Sequence, residues 1–327
     1  MKKIYRCLYL VPLLFSLLLS SCAAPLKGPL HDHALVYSIS SDTDLLGRYS
    51  PVFIVEEAGK GHNKIGTVRA LEEPEGHDKV FVDPEVSTIY TSIRKFETDR
   101  DRYTNLLYRI HFSEVPSGVT PFYLGAGKNV GLIVIVTLDS RQRPVLYTLV
   151  HTCGCYLAFI PTSYLSEDLM AAGWFSGRQS VYGENLPSMI DFTQDGATLL
   201  AVQLRTATHR IKNVWLSTEQ ELQDYMVVHP DILPFDYLEY LPLAEGRHTS
   251  FFETAGPRFG YVKGSHKIWE RLLISWWSFD WRVGEDKKLG RDKSDGIVFY
   301  TSLKPWAREA SDLRDFPRFL KYWGWRL

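Results

Sequence analysis

The chain has 327 residues and a formal net charge of −1, and 45% of its residues are hydrophobic and 13% aromatic. This apolar content predicts a folded globular protein and excludes an intrinsically disordered chain. Basic and acidic residues number 37 and 38 and form no long run of one sign, so the composition indicates no nucleic-acid partner.

The first 22 residues combine a basic start with a short apolar segment that ends in a cysteine. Three basic residues within the first six positions precede an apolar run from Leu8 to Leu19, and the sequence Leu-Ser-Ser-Cys ends at Cys22. A run of about a dozen residues is too short to cross a hydrocarbon core of about 30 Å as a helix. A basic start, a short apolar stretch and small residues at the junction are typical of an export signal.

This segment resembles the signal peptide of bacterial lipoproteins, with a lipobox that ends at Cys22. The resemblance implies that residues 1–22 are the signal, that Cys22 is acylated, and that the lipid attaches the mature chain to a membrane outside the cytoplasm. Asp after the cysteine favours inner-membrane retention in this class, and Ala23 stands there instead. The resemblance therefore implies the outer membrane, facing the periplasm. An ordinary signal peptide cut nearby, or a short retained anchor, are the alternatives.

Residues 23–33 are expected to form a tether, because three of them are Pro or Gly. Residues 34–165 are expected to be a β-rich domain, because short segments of β-branched and aromatic residues alternate with turn clusters. The expected strands cover 34–40, 51–55, 79–83, 87–91, 106–112, 131–138 and 145–160, with a hairpin turn over 139–143. This pattern favours a sandwich or a barrel-like sheet.

Residues 166–327 are expected to be mixed α/β to helical, rich in Trp, and packed on the first domain, which gives an α+β chain overall. Helices are predicted from Ser166, over 219–226, and from about Ser265 to Trp281, with Ser265 as a cap. Large apolar residues recur at the helical period in the last of these: Trp269, Leu272, Leu273, Trp276 and Trp277. Such a stripe is usually buried in a core. A helix lying on a membrane and the wall of a ligand pocket are the alternatives.

The segment His151-Thr-Cys153-Gly-Cys155 is the one candidate chemical site. In an extended strand alternate side chains share a face, so His151, Cys153 and Cys155 would project together, spread over about 13 Å. Gly154 can supply the bend that brings the three groups to one point, because glycine tolerates bulge geometry.

Three interpretations of this segment remain open. The first is a soft-metal site for copper or zinc, with His111 as the fourth ligand beside His151, Cys153 and Cys155. The second is a local Cys153–Cys155 disulfide, which would be strained and therefore redox-active. The third is a set of small buried residues with a purely structural role.

The sequence thus predicts a lipid-anchored envelope protein that presents this strand to a metal, a redox partner or another envelope protein. One alternative is a metal- or disulfide-dependent periplasmic enzyme. Another is a structural or interaction lipoprotein in which the two cysteines form a staple. No established catalytic signature, such as Gly-x-Ser-x-Gly or His-Glu-x-x-His, occurs in the chain.

Overall fold

The computed structural model describes residues 34–39, 44–74, 78–119, 123–174, 177–192, 198–223 and 225–327. The predicted signal, Cys22 and the tether lie outside these residues, so the lipid anchor stays a prediction. The described part is rich in strands, with several sheets and four α-helices, and this confirms the α+β class.

The strands are, in chain order, β1 (Leu35–Tyr37), β2 (Val52–Val55), β3 (Thr67–Glu72), β4 (Asp78–Asp83), β5 (Thr88–Glu97), β6 (Arg102–Val115), β7 (Gly127–Leu138), β8 (Pro144–His151), β9 (Leu157–Pro161), β10 (Arg178–Val181), β11 (Glu184–Pro187), β12 (Leu199–Leu204), β13 (Ile211–Ser217), β14 (Met226–Val228), β15 (Asp231–Pro234), β16 (Leu241–Pro242) and β17 (His248–Thr249). The helices are α1 (Leu45–Arg48), α2 (Glu219–Leu222), α3 (Ile268–Ser278) and α4 (Phe316–Tyr322).

Two large sheets organise the described residues. One has six strands in the order β15-β5-β6-β7-β8-β9, and the other has five in the order β13-β12-β2-β1-β14. Strands from before and after residue 165 occur in both sheets. The predicted boundary between 34–165 and 166–327 therefore does not separate the sheets.

Both faces of the six-stranded sheet are buried. One face shares a hydrophobic cluster with the five-stranded sheet, in which Tyr108 and Val134 pack with Phe53 and Val202. The other face packs against the C-terminal part of the chain, including Phe319 of α4. Burial on both sides explains why the strands at the centre of this sheet are apolar almost without interruption.

The segment predicted as a single strand over 145–160 is two strands, which corrects the expectation of one extended ribbon. β8 ends at His151, and the backbone turns back into β9, with Gly154 N–H donating to His151 O at 2.7 Å. The predicted hairpin turn over 139–143 is confirmed, because Asp139 N–H donates to the Arg143 carbonyl at 3.0 Å.

Helix α3 differs from its prediction in two ways. It begins at Ile268, and Ser265 does not cap it but donates its hydroxyl to the Val262 carbonyl at 2.9 Å. The prediction of a buried Trp stripe is also wrong, since Trp276 is 72% exposed and the helix instead buries polar residues such as Glu270. Within the described ranges, no helix has both the length and the apolar character needed to cross a membrane.

Candidate functional site

The candidate site is built on the loop that joins β8 to β9, residues 152–156. A segment from much later in the chain holds this loop in place. The Lys287 backbone N–H donates to the Thr152 carbonyl at 2.8 Å, and the Lys287 ammonium donates to the Cys153 carbonyl. The Thr152 hydroxyl donates to Asp286. Residues 286 and 287 therefore fix the backbone on either side of the first cysteine.

Gly154 supplies the bend that the sequence predicted. Its φ is +80°, a left-handed conformation that residues with a side chain rarely adopt. A Cβ at this position would also collide with the Tyr300 carbonyl oxygen. Both the turn and the close approach of the neighbouring backbone therefore require glycine between the two cysteines.

The turn brings the two cysteines into contact with one another. Cys153 is 3% exposed and Cys155 is half-buried, and both are free thiols. The Cys155 backbone N–H donates to Cys153 Sγ at 3.3 Å, and the Cys155 thiol donates to Glu270 Oε1 at 3.2 Å.

His151 lies beside the first cysteine with its orientation fixed. Its Nε2 is 3.1 Å from the His209 carbonyl, which can only accept, so Nε2 carries the hydrogen. The His151 ring also stacks on the Tyr156 ring, with 4.9 Å between the ring centroids. His151 and Cys153 both line the cavity described below.

Opposite electrostatic environments distinguish the two sulfurs. Burial alone would raise the pKa of the Cys153 thiol, but the hydrogen bond from Cys155 and the charge of Lys267 outweigh it and hold that pKa well below its usual value. The hydrogen bond to Cys153, together with burial, raises the pKa of Cys155 well above its usual value. These directions favour ionisation of Cys153 before that of Cys155.

Three buried charged groups surround the sulfurs. Lys267, which immediately precedes α3, lies 3.4 Å from Asp286 Oδ2. Burial would lower the pKa of Lys267, but Asp286 and the neighbouring thiols raise it well above its usual value. Burial raises the pKa of Glu270 and of Asp286. Glu270 is consequently a carboxyl group that can exchange a proton nearer to neutral pH than an exposed one.

The sulfurs face a cavity of about 270 Å³. Its polar lining includes His151, Cys153, Cys155, Lys267, Glu270 and Asp286. The remaining wall is largely apolar and aromatic, with Phe112, Tyr123, Tyr156, Tyr182 and Ile274 among its members. The site thus combines two free cysteines, a buried lysine and two buried carboxyl groups around one cavity.

The structure does not bring His111 to this site, which corrects its expected place as a fourth ligand. In the sheet register His111 pairs with Gly131, and His151 pairs with the next residue, Leu132. Consecutive residues of a strand point to opposite faces, so the two imidazoles lie on opposite sides of the sheet. His111 instead accepts a hydrogen bond from Arg109 Nε at 2.8 Å.

Among the described residues, no group of three or more His, Cys, Asp or Glu is arranged to hold a metal ion. The predicted ligands His151, Cys153 and Cys155 do share the site, but Glu270 already accepts the hydrogen bond of one sulfur. Copper or zinc binding therefore stays a prediction, without His111 as its fourth ligand.

Sequence reasoning missed Lys267, Glu270, Asp286 and His209. The expectation that the apolar stripe of α3 is buried placed Glu270 on the opposite, solvent-exposed side of the helix. For that reason Glu270 was not considered as a site residue. The feature that could have indicated Glu270 is that it is the one acidic residue of the Trp-rich helix α3. His209 carries no local pattern, and its carbonyl, not its ring, meets His151.

No family model, curated protein or solved structure matches this chain. The function is therefore inferred from the geometry of the site alone.

Proposed function

We propose that this protein is a dithiol–disulfide oxidoreductase or redox accessory factor of the cell envelope, with Cys153 as the attacking thiolate and Cys155 as the resolving thiol. The observation that carries the proposal is the contact between the two cysteines: the Cys155 backbone N–H donates to Cys153 Sγ at 3.3 Å, and the Cys155 thiol donates to the buried Glu270 at 3.2 Å. Exported compartments permit disulfides, and a pair separated by one residue forms a strained, readily reduced bond.

The first step is an attack of Cys153 Sγ on a disulfide of the partner. A bond forms between Cys153 and one partner sulfur, and the partner's S–S bond breaks. The second partner sulfur leaves as a thiolate and takes a proton from solvent. The Lys267 ammonium and the hydrogen bond from Cys155 keep Cys153 ionised for this step.

The second step releases the partner. Glu270 accepts the proton of the Cys155 thiol, to which it is already hydrogen-bonded at 3.2 Å. The resulting thiolate attacks Cys153 Sγ, the mixed disulfide breaks, and the remaining partner sulfur leaves as a thiolate. The partner disulfide has gained two electrons, and the chain holds a Cys153–Cys155 disulfide. The same steps in reverse would oxidise a partner dithiol.

We also propose that the protein works at a membrane surface, as a lipoprotein anchored through Cys22 at the outer membrane. Twelve residue steps separate Cys22 from Ala34, the first described residue, and a chain of this length reaches at most about 40 Å. With such an anchor, the folded part would remain close to the lipid headgroups.

A set of exposed aromatic and aliphatic residues on α3 and beside its C-terminal end, here called the aromatic face of α3, supports this location. Such a surface is suited to contact with a phospholipid bilayer. It is formed by Ile268, Leu272, Leu273, Trp276, Trp277, Phe279, Trp281 and Trp306, all of which are exposed. The turn that carries Trp306 is joined to the end of α3, because Arg308 donates to the Ser278 carbonyl. Trp is enriched at membrane–water interfaces, where its amphipathic ring is best accommodated.

We also propose that the two large sheets form a sandwich and that the C-terminal part is the more helical one. The hydrophobic cluster shared by the two large sheets supports a sandwich, and three of the four α-helices follow residue 165. This arrangement would place the more helical, Trp-rich C-terminal part against the outer face of the six-stranded sheet.

The redox proposal is tested by treating the full chain, purified in detergent, with the aromatic disulfide 5,5′-dithiobis(2-nitrobenzoate). Peptide mapping restricts the readout to Cys153 and Cys155. We expect release of about two equivalents of thionitrobenzoate per chain and a Cys153–Cys155 disulfide. The matched variant Cys155→Ser should release about one equivalent and retain the aryl group on Cys153.

Three outcomes would overturn the proposal. Aryl groups retained on both cysteines of the wild type would show that no disulfide forms. Sulfurs that do not react under native conditions would indicate a structural role. About one equivalent of copper or zinc bound to these sulfurs, lost in Cys153→Ser, would support the soft-metal site instead.

A further inference from the structure

A second cavity lies on the opposite side of the six-stranded sheet from the cysteines. Its volume is about 550 Å³. Arg109 of β6 lines it and pairs in register with Ile133, whose side chain belongs to the cluster on the outer face of the sheet. This cavity plays no part in the thiol chemistry proposed above, so any ligand that it binds has a separate role.

Arg109 is a fully buried guanidinium with no carboxylate in ion-pair contact among the described residues, and Asp286 acts on its charge only from a greater distance. Arg109 is 1% exposed, and among the described residues no carboxylate lies within 4.0 Å of it. Its Nε donates to His111 Nε2 at 2.8 Å, and its terminal nitrogen NH2 is buried with no hydrogen-bond partner. An unpaired buried charge of this kind is costly, by several kcal/mol.

His111 does not compensate the charge. Burial and the neighbouring Arg109 hold the pKa of His111 well below its usual value, so the imidazole is neutral and offers only a lone pair. Burial likewise lowers the pKa of Arg109 to about 10, which leaves the guanidinium charged at neutral pH. A positive group at the wall of the cavity thus keeps an unused donor.

A second guanidinium of the cavity also lacks a carboxylate. Arg94 donates to the Gly290 carbonyl at 2.8 Å and forms no ion pair within the described part of the chain. By contrast, Lys288 is paired with Glu239 at 2.8 Å, and Arg314 is paired with Asp312 at 2.8 Å. Within the described part of the chain, the cations of this cavity without an ion pair are therefore the buried Arg109, the half-buried Arg94 and the exposed Lys95.

The acidic residues of the lining are already engaged: Asp236 and Glu239 pair with Arg291, and Asp315 accepts the Arg318 backbone N–H. Part of the remaining wall is apolar. It includes Leu107, Ile135, Phe235, Phe252, Leu289 and Phe316. The Phe252 ring lies 5.3 Å from the guanidinium carbon of Arg109. A bare inorganic anion would leave these surfaces uncovered, whereas an anion with an apolar body would cover them and pair the charge.

We propose that this cavity binds an amphipathic organic anion, whose carboxylate pairs with Arg109 while its apolar body covers the aromatic wall. Arg94 adds a second positive charge to the same cavity. A bound carboxylate would pair the charge of Arg109. It would therefore offset the cost of burying a guanidinium at a position where an apolar residue would be less costly.

The proposal is tested with the full chain in a detergent-free buffer or in nanodiscs, using decanoate as the probe and following the thermal midpoint and calorimetric binding. Decanol, which lacks the charge, and inorganic phosphate, which lacks the apolar body, are the ligand controls. We expect decanoate to bind and raise the midpoint, with at least a tenfold weaker affinity in Arg109→Met. Arg48→Met, at an exposed arginine outside the cavity, should bind as the wild type does.

Arg109→Met without ligand should be at least as stable as the wild type, because it removes a buried unpaired charge. If that variant does not fold, Arg94→Met replaces it, with the same expected weakening. Equal affinity in wild type and variant, equal binding of decanol, or binding of phosphate alone would each overturn the proposal. So would the absence of any shift with decanoate.

Discussion

The Cys155 thiol donates a hydrogen bond to Glu270 Oε1 across 3.2 Å, and the carboxyl group that receives it is buried. A carboxyl group in this position can take the thiol proton at the moment when Cys155 becomes a nucleophile. Gly284 leaves room for this carboxyl group, because a Cβ at that position would collide with it. The φ of Gly284 is +76°, which also favours glycine there. In the proposed reaction only the second step, in which Cys155 attacks Cys153, needs Glu270. The first step, in which Cys153 attacks the partner disulfide, does not.

Glu270→Gln is therefore expected to slow only the second step. The amide keeps the shape of the side chain but cannot accept the thiol proton, so release of the second thionitrobenzoate should slow by about 10²- to 10⁴-fold. Release of the first should change by less than about threefold. Stopped-flow absorbance separates the two phases. Glu309→Gln, at an exposed glutamate, is the control, and an unchanged second phase in Glu270→Gln would refute the role of the carboxyl group.

Lys267→Met is expected to shift the ionisation of Cys153 to higher pH. The ammonium charge favours the thiolate, so its loss should raise the midpoint of iodoacetamide alkylation by about one pH unit or more. The measurement is the alkylation rate of the Cys153 peptide as a function of pH. Lys263→Met, whose ammonium binds the Thr249 hydroxyl outside the cavity, should leave the profile in place. An unmoved profile in Lys267→Met would contradict the electrostatic role of this ammonium.

Gly154→Ala is expected to destabilise the protein more than Gly183→Ala. The two glycines have nearly the same φ, +80° and +82°, so both substitutions impose a similar backbone strain of about 1–2 kcal/mol. Only at Gly154 would the new methyl group also meet the Tyr300 carbonyl, whereas nothing lies within 4 Å at Gly183. We expect an additional loss of about 1–3 kcal/mol at Gly154, measured by urea unfolding. Equal losses would show that the loop relaxes away from Tyr300.

His209 is expected to make stability depend on pH in the mildly acidic range. Burial lowers the pKa of His209 to about 3, against a usual 6.5. Between these values the unfolded chain binds a proton that the folded chain does not, so the free energy of unfolding falls as pH is lowered through this window. The buried carboxyls Glu270 and Asp286, with raised pKa values, contribute in the opposite sense.

The His209 contribution is isolated by comparing wild type and His209→Gln over pH 4 to 8. We expect the variant to lose less stability between about pH 6.5 and pH 4 than the wild type does. His248→Gln, at an exposed histidine, serves as the control and should follow the wild type. Parallel curves for wild type and His209→Gln would mean that His209 takes up its proton in the folded state.

The aromatic face of α3 is expected to contact lipid when the full chain is reconstituted in vesicles of phosphatidylethanolamine and phosphatidylglycerol. Brominated acyl chains should quench the tryptophan fluorescence of the wild type. Replacing Trp276, Trp277 and Trp281 together by Ser should reduce that quenching to less than about half. Tyr240→Ser, at an exposed aromatic residue on a different element, is the control. Undiminished quenching in the triple variant would place this face away from the bilayer.

The sequence was informative where a residue's local pattern and its tertiary role agree. Strands β5 to β8 of the six-stranded sheet and the hairpin turn at 139–143 follow from β-branched runs and turn chemistry, whereas β9 was merged with β8 and β15 was not predicted. The bend at Gly154 was also predictable, because glycine is the residue that most readily adopts the backbone conformation of a tight bend. The contact of Cys153 with Cys155 follows directly from that bend.

The remaining parts of the site could not be predicted, because they depend on which faces meet in three dimensions. The alternation of side chains along one strand shows which of its own residues share a face. It does not show whether a residue on another strand, such as His111, lies on that face, because the register between the strands decides this. Periodicity finds the stripe on α3 but not the side that is buried, and here the polar side containing Glu270 was buried. Arg109 is likewise indistinguishable from a surface arginine in a strand.

The hydrogen bond between Thr152 and Asp286 joins positions 134 residues apart. During synthesis, both sulfurs therefore leave the ribosome long before the segment that encloses them. A nascent or prematurely terminated chain that ends before residue 267 would carry the pair of thiols without Lys267, Glu270 or Asp286. Such fragments would be open to oxidation and to capture by other thiols, because they lack the segment that buries the pair in the folded chain.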